Sequence, residues 1–302
     1  MKQFFPFAAL LSLLCSCNVF EVDDGLVYPD RIDPLSLSQL QELNSTFHEL
    51  NDGHICSTLN IYGLTGFSRI LFPENGTPCE NRQVVRIEMN RPDTLARAAR
   101  EALLLNRDFT GVQDPSRLQV LAMEDLRGCV ICEGPDIDSR AIEWKVVFEG
   151  QQVNGLPIHD TRITVVMDAH GVNRIWGNWY PEFYVPENPN YELSRAMDML
   201  DGETLRWAGD EGEVVMYDVS REDLSSNGTR MVVPFRTDKD RLELRTGWLI
   251  HVNHDGGLSS GLRVVVDMMD GRLLLVTPRS EGVEPGLPDD TIATDETEIL
   301  PR

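Results

Sequence analysis

Positive charge is the scarcest ingredient of this 302-residue chain. Its 27 lysines and arginines stand against 49 aspartates and glutamates, and only Lys2, Lys145 and Lys239 are lysines. No stretch is rich in basic residues, and a formal net charge of −22 argues against a phosphate backbone, so no nucleic-acid partner is expected. After residue 14 no apolar run approaches the roughly 20 residues that cross a bilayer as a helix. Hydrophobic residues themselves are not scarce. At 41% of the chain, with five tryptophans, they exclude a disordered chain, and the length allows about two domains with their own cores.

The first residues read as an address. MKQFFPFAALLSLLCSC offers one cation, Lys2, then an apolar run over residues 4–14, too short to span and suited to a secretory signal. Its end, Leu14-Cys15-Ser16-Cys17, resembles a bacterial lipobox, with an aliphatic residue three before a cysteine and a small one next to it. The resemblance implies a signal peptide over residues 1–16, cleavage before Cys17, and lipidation of Cys17. That would place the chain in the cell envelope, extracytoplasmic and held to a membrane by its acyl chains. Cys15 fits less well because bulky Leu14 precedes it.

Export makes disulfides the default for Cys56, Cys79, Cys129 and Cys132. Pairing Cys56 with Cys79 would close one loop, and pairing Cys129 with Cys132 would make a tight clip, but the sequence leaves the connectivity open. A zinc site built from all four is less well supported, since there is one Cys-x-x-Cys pair and the other two cysteines lie far apart. A thioredoxin-like pair needs a helix after the motif, and Glu133-Gly134-Pro135-Asp136 reads as a turn.

Periodicity divides the rest. Residues 17–35 hold five acids and one Arg and read as a tether. A mixed segment to about residue 90, with Gly63, Gly66, Pro73, Gly76 and Pro78, reads as short strands. Pro92-Asp93 opens a helix with Leu95, Ala99, Ala102 and Leu103 on one face, ending near Asn106. Alternation predicts strands over 144–148, 162–167 and 172–179, the last two joined by the turn Asp168-Ala169-His170-Gly171. A proline-rich linker over 181–189 follows. The second half repeats the plan, with a helix over 193–199 and strands over 230–235, 242–252, 262–267 and 272–276. Residues 281–302 hold seven acids and read as a disordered tail. The expected fold class is α+β, with two successive helix-plus-antiparallel-sheet domains at 36–185 and 186–280.

Catalytic motifs are near misses. Gly257-Leu258-Ser259-Ser260-Gly261 matches a hydrolase nucleophile pattern but joins two strands, and no histidine follows His254. His48-Glu49-Leu50-Asn51-Asp52 begins like a zinc-peptidase helix, but Asp52 stands where the second histidine belongs, and His54 falls off that face. His251 and His254 would point to opposite faces of a strand. His159 and His170 sit at turns, where a solvated or capping role is commoner. Apparent glycosylation sequons at Asn44, Asn75 and Asn227 mean little if the lipobox marks a bacterial source. No catalytic residue, metal site or cofactor is expected.

Two stretches carry a family resemblance. LARAAREALLLNRDFTGVQDPSRLQV, residues 95–120, and WKVVFEGQQVNGLPIHDTRITVVMDAHGVNRIWGNWYP, residues 144–181, resemble the FTP domain of fungalysin/thermolysin propeptides. In the second, Gly155-Leu156-Pro157-Ile158 occupies the turn position. Residues 193–276 resemble a PepSY domain, with Ser194-Arg195-Ala196 at the helix and Gly247-Trp248-Leu249-Ile250-His251-Val252 in a strand. The insertion holding Cys129 and Cys132 departs from the pattern, and residues 36–90 match it poorly.

The resemblance implies an intramolecular chaperone and inhibitor of a zinc peptidase. Residues 281–302 are too few to hold that peptidase, so the propeptide-like part is expected to stand alone. The expectation is a non-enzymatic lipoprotein that binds a protein partner, a secreted metallopeptidase that it inhibits or helps to fold. An envelope-scaffold protein with no protease connection is the alternative.

Overall fold

The computed structural model describes residues 28–53, 55–65, 91–131, 138–168, 171–209, 212–253 and 261–278. In chain order they form β1 (Asp30–Ile32), α1 (Leu37–Leu50), α2 (Pro92–Leu105), α3 (Arg107–Thr110), β2 (Val120–Ile131), β3 (Asp138–Phe148), β4 (Gln152–Val153), β5 (Leu156–Pro157), β6 (Ile163–Asp168) and β7 (Gly171–Trp176). After these come α4 (Leu193–Leu200), β8 (Thr204–Ala208), β9 (Val214–Asp218), β10 (Leu224–Arg236), β11 (Leu242–Val252), β12 (Leu262–Asp267) and β13 (Leu273–Pro278). Among the described residues no helix is long and apolar enough to cross a membrane.

Both long helices have their starts written locally. Ser36 caps α1 in a reciprocal box with Gln39, and Leu40, Asn44 and Phe47 then fall on its buried stripe. Asn44 lies inside rather than on the surface. Its amide donates to the Leu40 carbonyl, and its oxygen accepts from the Leu59 N–H, each at 2.9 Å. α2 has Pro92 in its first turn, buries Leu95, Ala96, Ala99 and Leu103, and ends at Asn106, as the spacing predicts. The Asn106 and Asn51 amides hydrogen-bond each other and tie the ends of α1 and α2 together.

The helices share a core with one face of the sheet β2-β3-β6-β7. Register places Trp144 opposite Met167, Val146 opposite Val165 and Phe148 opposite Ile163, so alternate residues of β3 and β6 enter that core together. Phe47, Leu103, Phe148 and Ile175 are fully buried there. Burying side chains of this size contributes about 1.5–3 kcal/mol each.

The expected pair of successive helix-plus-sheet domains is overturned. Among the described residues strand exceeds helix, 42% against 23%, and the second sheet is a curled half-barrel. The physical reason lies in that sheet. β11 pairs with β10 along its whole length, with β12 over its second half, and with β1 over Leu242–Leu244. α4, of eight residues, and the β8–β9 hairpin cover one face, over Ile250, Val264 and Val266. On the other face Met231, Val233, Leu249, Val265 and Leu274 pack on one another. A short helix cannot cover two apolar faces, so curling closes the second.

The sheet also draws strands from the first half of the chain. β1 lies within the segment expected as a tether, 17–35; the part of that segment before residue 28 is outside the described residues. Ile158 forms a parallel bridge with Val232, and the His159 N–H donates to the Val232 carbonyl at 2.7 Å. The expected linker at 181–189 is not a free connection. Val185 is buried with Tyr180, Ile158, Val232, Leu242 and Leu244, and Phe183 packs against them.

Candidate functional site

The concave face of the curled sheet is the best-built polar feature among the described residues. Directly paired residues in antiparallel strands share a face. His251 therefore stands with Arg263 and Thr277, and Leu249 stands with Val265 and Leu275. Further along β11, Arg245 and Glu243 lie on the same face as Leu249 by alternation. The face thus has an apolar middle, an ionic end and a basic end.

The ionic end is centred on Arg245, whose side chain is 6% exposed. It binds Asp267 at 2.7 Å, Glu243 at 2.7 Å and Asp270 at 2.9 Å. Burial opposes the guanidinium charge, but the carboxylates of Asp267, Glu243 and Asp270 outweigh it and raise the Arg245 pKa. Asp267 also accepts the N–H groups of Met269 and Asp270, which fixes the turn into β13. Tyr28, two residues before β1, closes the cluster. Its hydroxyl donates to Asp267 at 3.3 Å and accepts the Thr246 N–H at 2.8 Å. Burial, reinforced by Asp267, pushes the Tyr28 hydroxyl above its ordinary pKa, so it stays a donor at any physiological pH. Arg31 reaches Glu243 at 3.2 Å. The group is saturated with internal partners and pins the N-terminal segment to the sheet.

At the basic end Pro157, Ile158 and His159 meet Met231, Leu249, Arg263 and Leu275 around a cavity of about 20 Å³. These residues come from β5 and the two positions after it and from β10, β11, β12 and β13, and only a strongly curled sheet brings them together. The volume suits a water or the head of a small group, far below the roughly 300–1,000 Å³ of metabolite pockets. Burial, helped by the Arg263 charge, pulls the His159 pKa down to about 4.

This has a pH consequence with a definite sign. The unfolded chain protonates His159 near 6.5 and the folded chain only near 4, so the unfolded state binds more protons between those values. The His159 contribution to stability is complete above pH 6.5 and is lost as pH falls towards 4, by up to about 3 kcal/mol. Urea unfolding at pH 7.5, 5.5 and 4.5 should show a shallower acid decline in His159→Gln than in the parent. Parallel declines would refute it.

The other residues singled out in the sequence do not converge. Cys56 is disulfide-bonded. Its N–H donates to the Asn173 carbonyl at 2.6 Å. Cys17, Cys79 and Cys132 lie outside the described residues, as do His54, His170, His254 and Ser259. Cys129 stands in β2 opposite Ser139. His48 Nε2 is 3.0 Å from the Ser57 carbonyl, at the end of α1. His159 is part of a strand-to-strand junction, not a solvated turn. The stretch with Ser259 is flanked by β11 and β12, which pair as adjacent antiparallel strands. Among the described residues no three His, Cys, Asp or Glu side chains gather where they could hold a metal ion.

The sequence reading missed Arg245, Asp267 and Tyr28. A signal existed: Glu243 and Arg245 are spaced by two in a strand whose alternate positions are apolar, which puts charge on one face of a central strand.

No protein-family model matches the chain, and no curated protein does. Among solved structures, an uncharacterized protein from Eubacterium rectale is 12% identical at a TM-score of 0.28, covering 65% of this chain and 59% of that one. The Bacillus megaterium YpeB C-terminal domain is 11% identical at a TM-score of 0.27, covering 81% of this chain and 98% of that one. The chain thus spans about three fifths of the first protein and nearly all of the second domain. The likeness to the YpeB domain is weak, and at these TM-scores neither bears on function.

Proposed function

We propose that the chain is a non-catalytic extracytoplasmic lipoprotein, anchored through Cys17, that binds a protein partner. The best candidate partner is a secreted zinc metallopeptidase, which it inhibits or helps to fold. One observation carries the partner reading, the hairpin of β2 and β3. β3 pairs with β6 only over residues 144–148, whereas its pairing with β2 continues out to Ile131 and Asp138. The hairpin therefore extends as a two-stranded arm beyond the sheet. Leu126 and Ile142 on the arm are 53% and 48% exposed, and Leu121 and Met123 at its base are also exposed. Clustered exposed apolar side chains on a strand that ends its sheet favour association with another chain. The family resemblance of residues 95–120, 144–181 and 193–276 supplies the metallopeptidase.

The purified mature protein should inhibit a co-secreted metallopeptidase at stoichiometric concentration. Leu126→Asp with Ile142→Asp should weaken inhibition at least about tenfold without changing the unfolding midpoint. No inhibition across a panel of such enzymes, with stable binding to another envelope protein, would favour the scaffold alternative. Intact-mass analysis of the mature protein tests lipidation of Cys17.

A further inference from the structure

β2 ends its sheet, so among the described residues its outer edge has no strand beside it. The strand is twelve residues long and holds neither proline nor lysine, two devices that commonly keep an edge from pairing. Its backing changes along its length. Residues 120–125 lie opposite the part of β3 that pairs on with β6. Over residues 126–131, β3 is the one strand alongside among the described residues. We propose that the outer edge of β2 takes the same edge of a second copy of this chain, antiparallel, about a two-fold axis through Leu126. The inference rests on the partner-binding reading of this edge and adds its regulation, since a copy seated here withholds the edge from any other partner.

Charge selects the register. A two-fold axis normal to the sheet pairs each residue with one on its own face, so only alternate positions along the strand can meet. β2 keeps an unbroken alternation over residues 122–129, because the irregularity after Leu126 has its extra residue, Ile142, on β3. Within that stretch an axis at Leu126 sets Asp125 opposite the partner's Arg127, Arg127 opposite the partner's Asp125, and Glu124 opposite the partner's Gly128. An axis one residue to either side would set two aspartates or two arginines directly opposite each other, which is unfavourable.

Within one chain Arg127 donates to Asp125 at 2.9 Å, and the two side chains are 58% and 40% exposed. Neither has to give that bond up. On this face of the strand the four charges alternate in sign around the axis, and on the other face Leu126, 53% exposed, meets its own copy. The same axis lays the half of β2 that has only β3 beside it along the sheet-backed half in the other copy, and the reverse. Two four-stranded sheets become continuous, and each arm gains the neighbour it lacks.

Sedimentation velocity on the purified, unacylated mature chain tests this with no peptidase present, so its outcome is separate from that of the inhibitor reading. The expected result is a monomer-to-dimer shift between about 1 μM and about 100 μM, the range of a small interface. Asp125→Arg and Arg127→Asp each turn both opposite-charge contacts across the axis into like-charge ones and should weaken the dimer at least about tenfold. An equimolar mixture of the two variants sets two cations on one chain against two anions on the other and should recover the parent's affinity. Thermal midpoints of both variants should match the parent's. Should either fail to fold, Leu126→Asp, which brings two carboxylates together on the axis, replaces it with the same loss expected. Met216→Asp, on the separate β8–β9 hairpin and 61% exposed, should leave the dimer unchanged.

A parent that stays monomeric at about 100 μM would overturn the proposal. So would a mixture that associates no more tightly than its two components, or an equal loss in Met216→Asp.

Discussion

Replacing Arg245 by alanine is expected to destabilise the folded chain by about 3–5 kcal/mol, read as a fall in the urea midpoint at pH 7. Three carboxylates share this guanidinium, and two of them belong to side chains as buried as its own, Glu243 at 7% and Asp267 at 0% exposure. Removing the cation leaves those two negative charges in a low-dielectric interior. The cost is chiefly that of stranded charge, not of lost attraction. Arg272→Ala makes the contrast. Arg272 meets Asp270 at 3.7 Å with about half of its side chain exposed, and its loss should cost under about 1 kcal/mol. Similar effects from the two substitutions would mean that the Arg245 cluster is far better hydrated than its burial implies. Tyr28 ties the same cluster to β1, so Arg245→Ala should also expose the N-terminal segment to protease before the sheet itself unfolds.

How much of this could be read in the sequence depends on whether the signal was local. β11 and β12 were legible to the residue, because their apolar alternation is long and bounded by turn residues. α2 was legible from Pro92 and a stripe of four apolar positions. α1 was missed although Ser36 and Gln39 form a capping box, because Asn44 occupies a core position and breaks the apolar stripe. β1 could not be read at all. Three residues have no periodicity, and their partner, β11, lies more than 200 residues away. The 181–189 segment looked like a linker because proline sets its local geometry, while Val185 is buried and Phe183 partly buried by contacts with β10 and β11 that no local pattern encodes. The same limit applies to the concave face. Glu243, Arg245, Leu249, His251, Arg263 and Val265 were assigned to strands correctly, while Pro157 and His159 were read as turn residues and Thr277 fell beyond the expected strand. A strand pattern does not say that the sheet curls. Without the curl, His159 and Arg263 have no reason to meet.

Gly177 tests the part of the fold that local reading placed least well. Alternation carried the strand on to residue 179, whereas β7 stops at Trp176. Gly177 has φ +124°, and a Cβ there would lie 1.9 Å from the Arg162 carbonyl oxygen and 2.9 Å from the Ile163 Cα. Both obstacles are backbone, so no side-chain rotation relieves them. Gly177→Ala should cost about 4 kcal/mol, combining conformational strain with the displacement of the start of β6. The damage should spread, because the next residues join two cores. Trp179 packs against the helix-covered core, Tyr180 enters the cluster with Ile158 and Val232, and the Gln151 amide holds Tyr180 through its N–H and carbonyl. Gly155 separates the two causes. It has φ +76° with nothing within 4 Å of its Cβ position, so Gly155→Ala carries the conformational strain alone and should cost about 1–2 kcal/mol. A similar fall in thermal midpoint for both variants would show that the Arg162 carbonyl can move aside. A much larger fall for Gly177→Ala, with new proteolytic cleavage within residues 177–192, would show that this close approach of two backbones sets the path from the first core to the curled sheet.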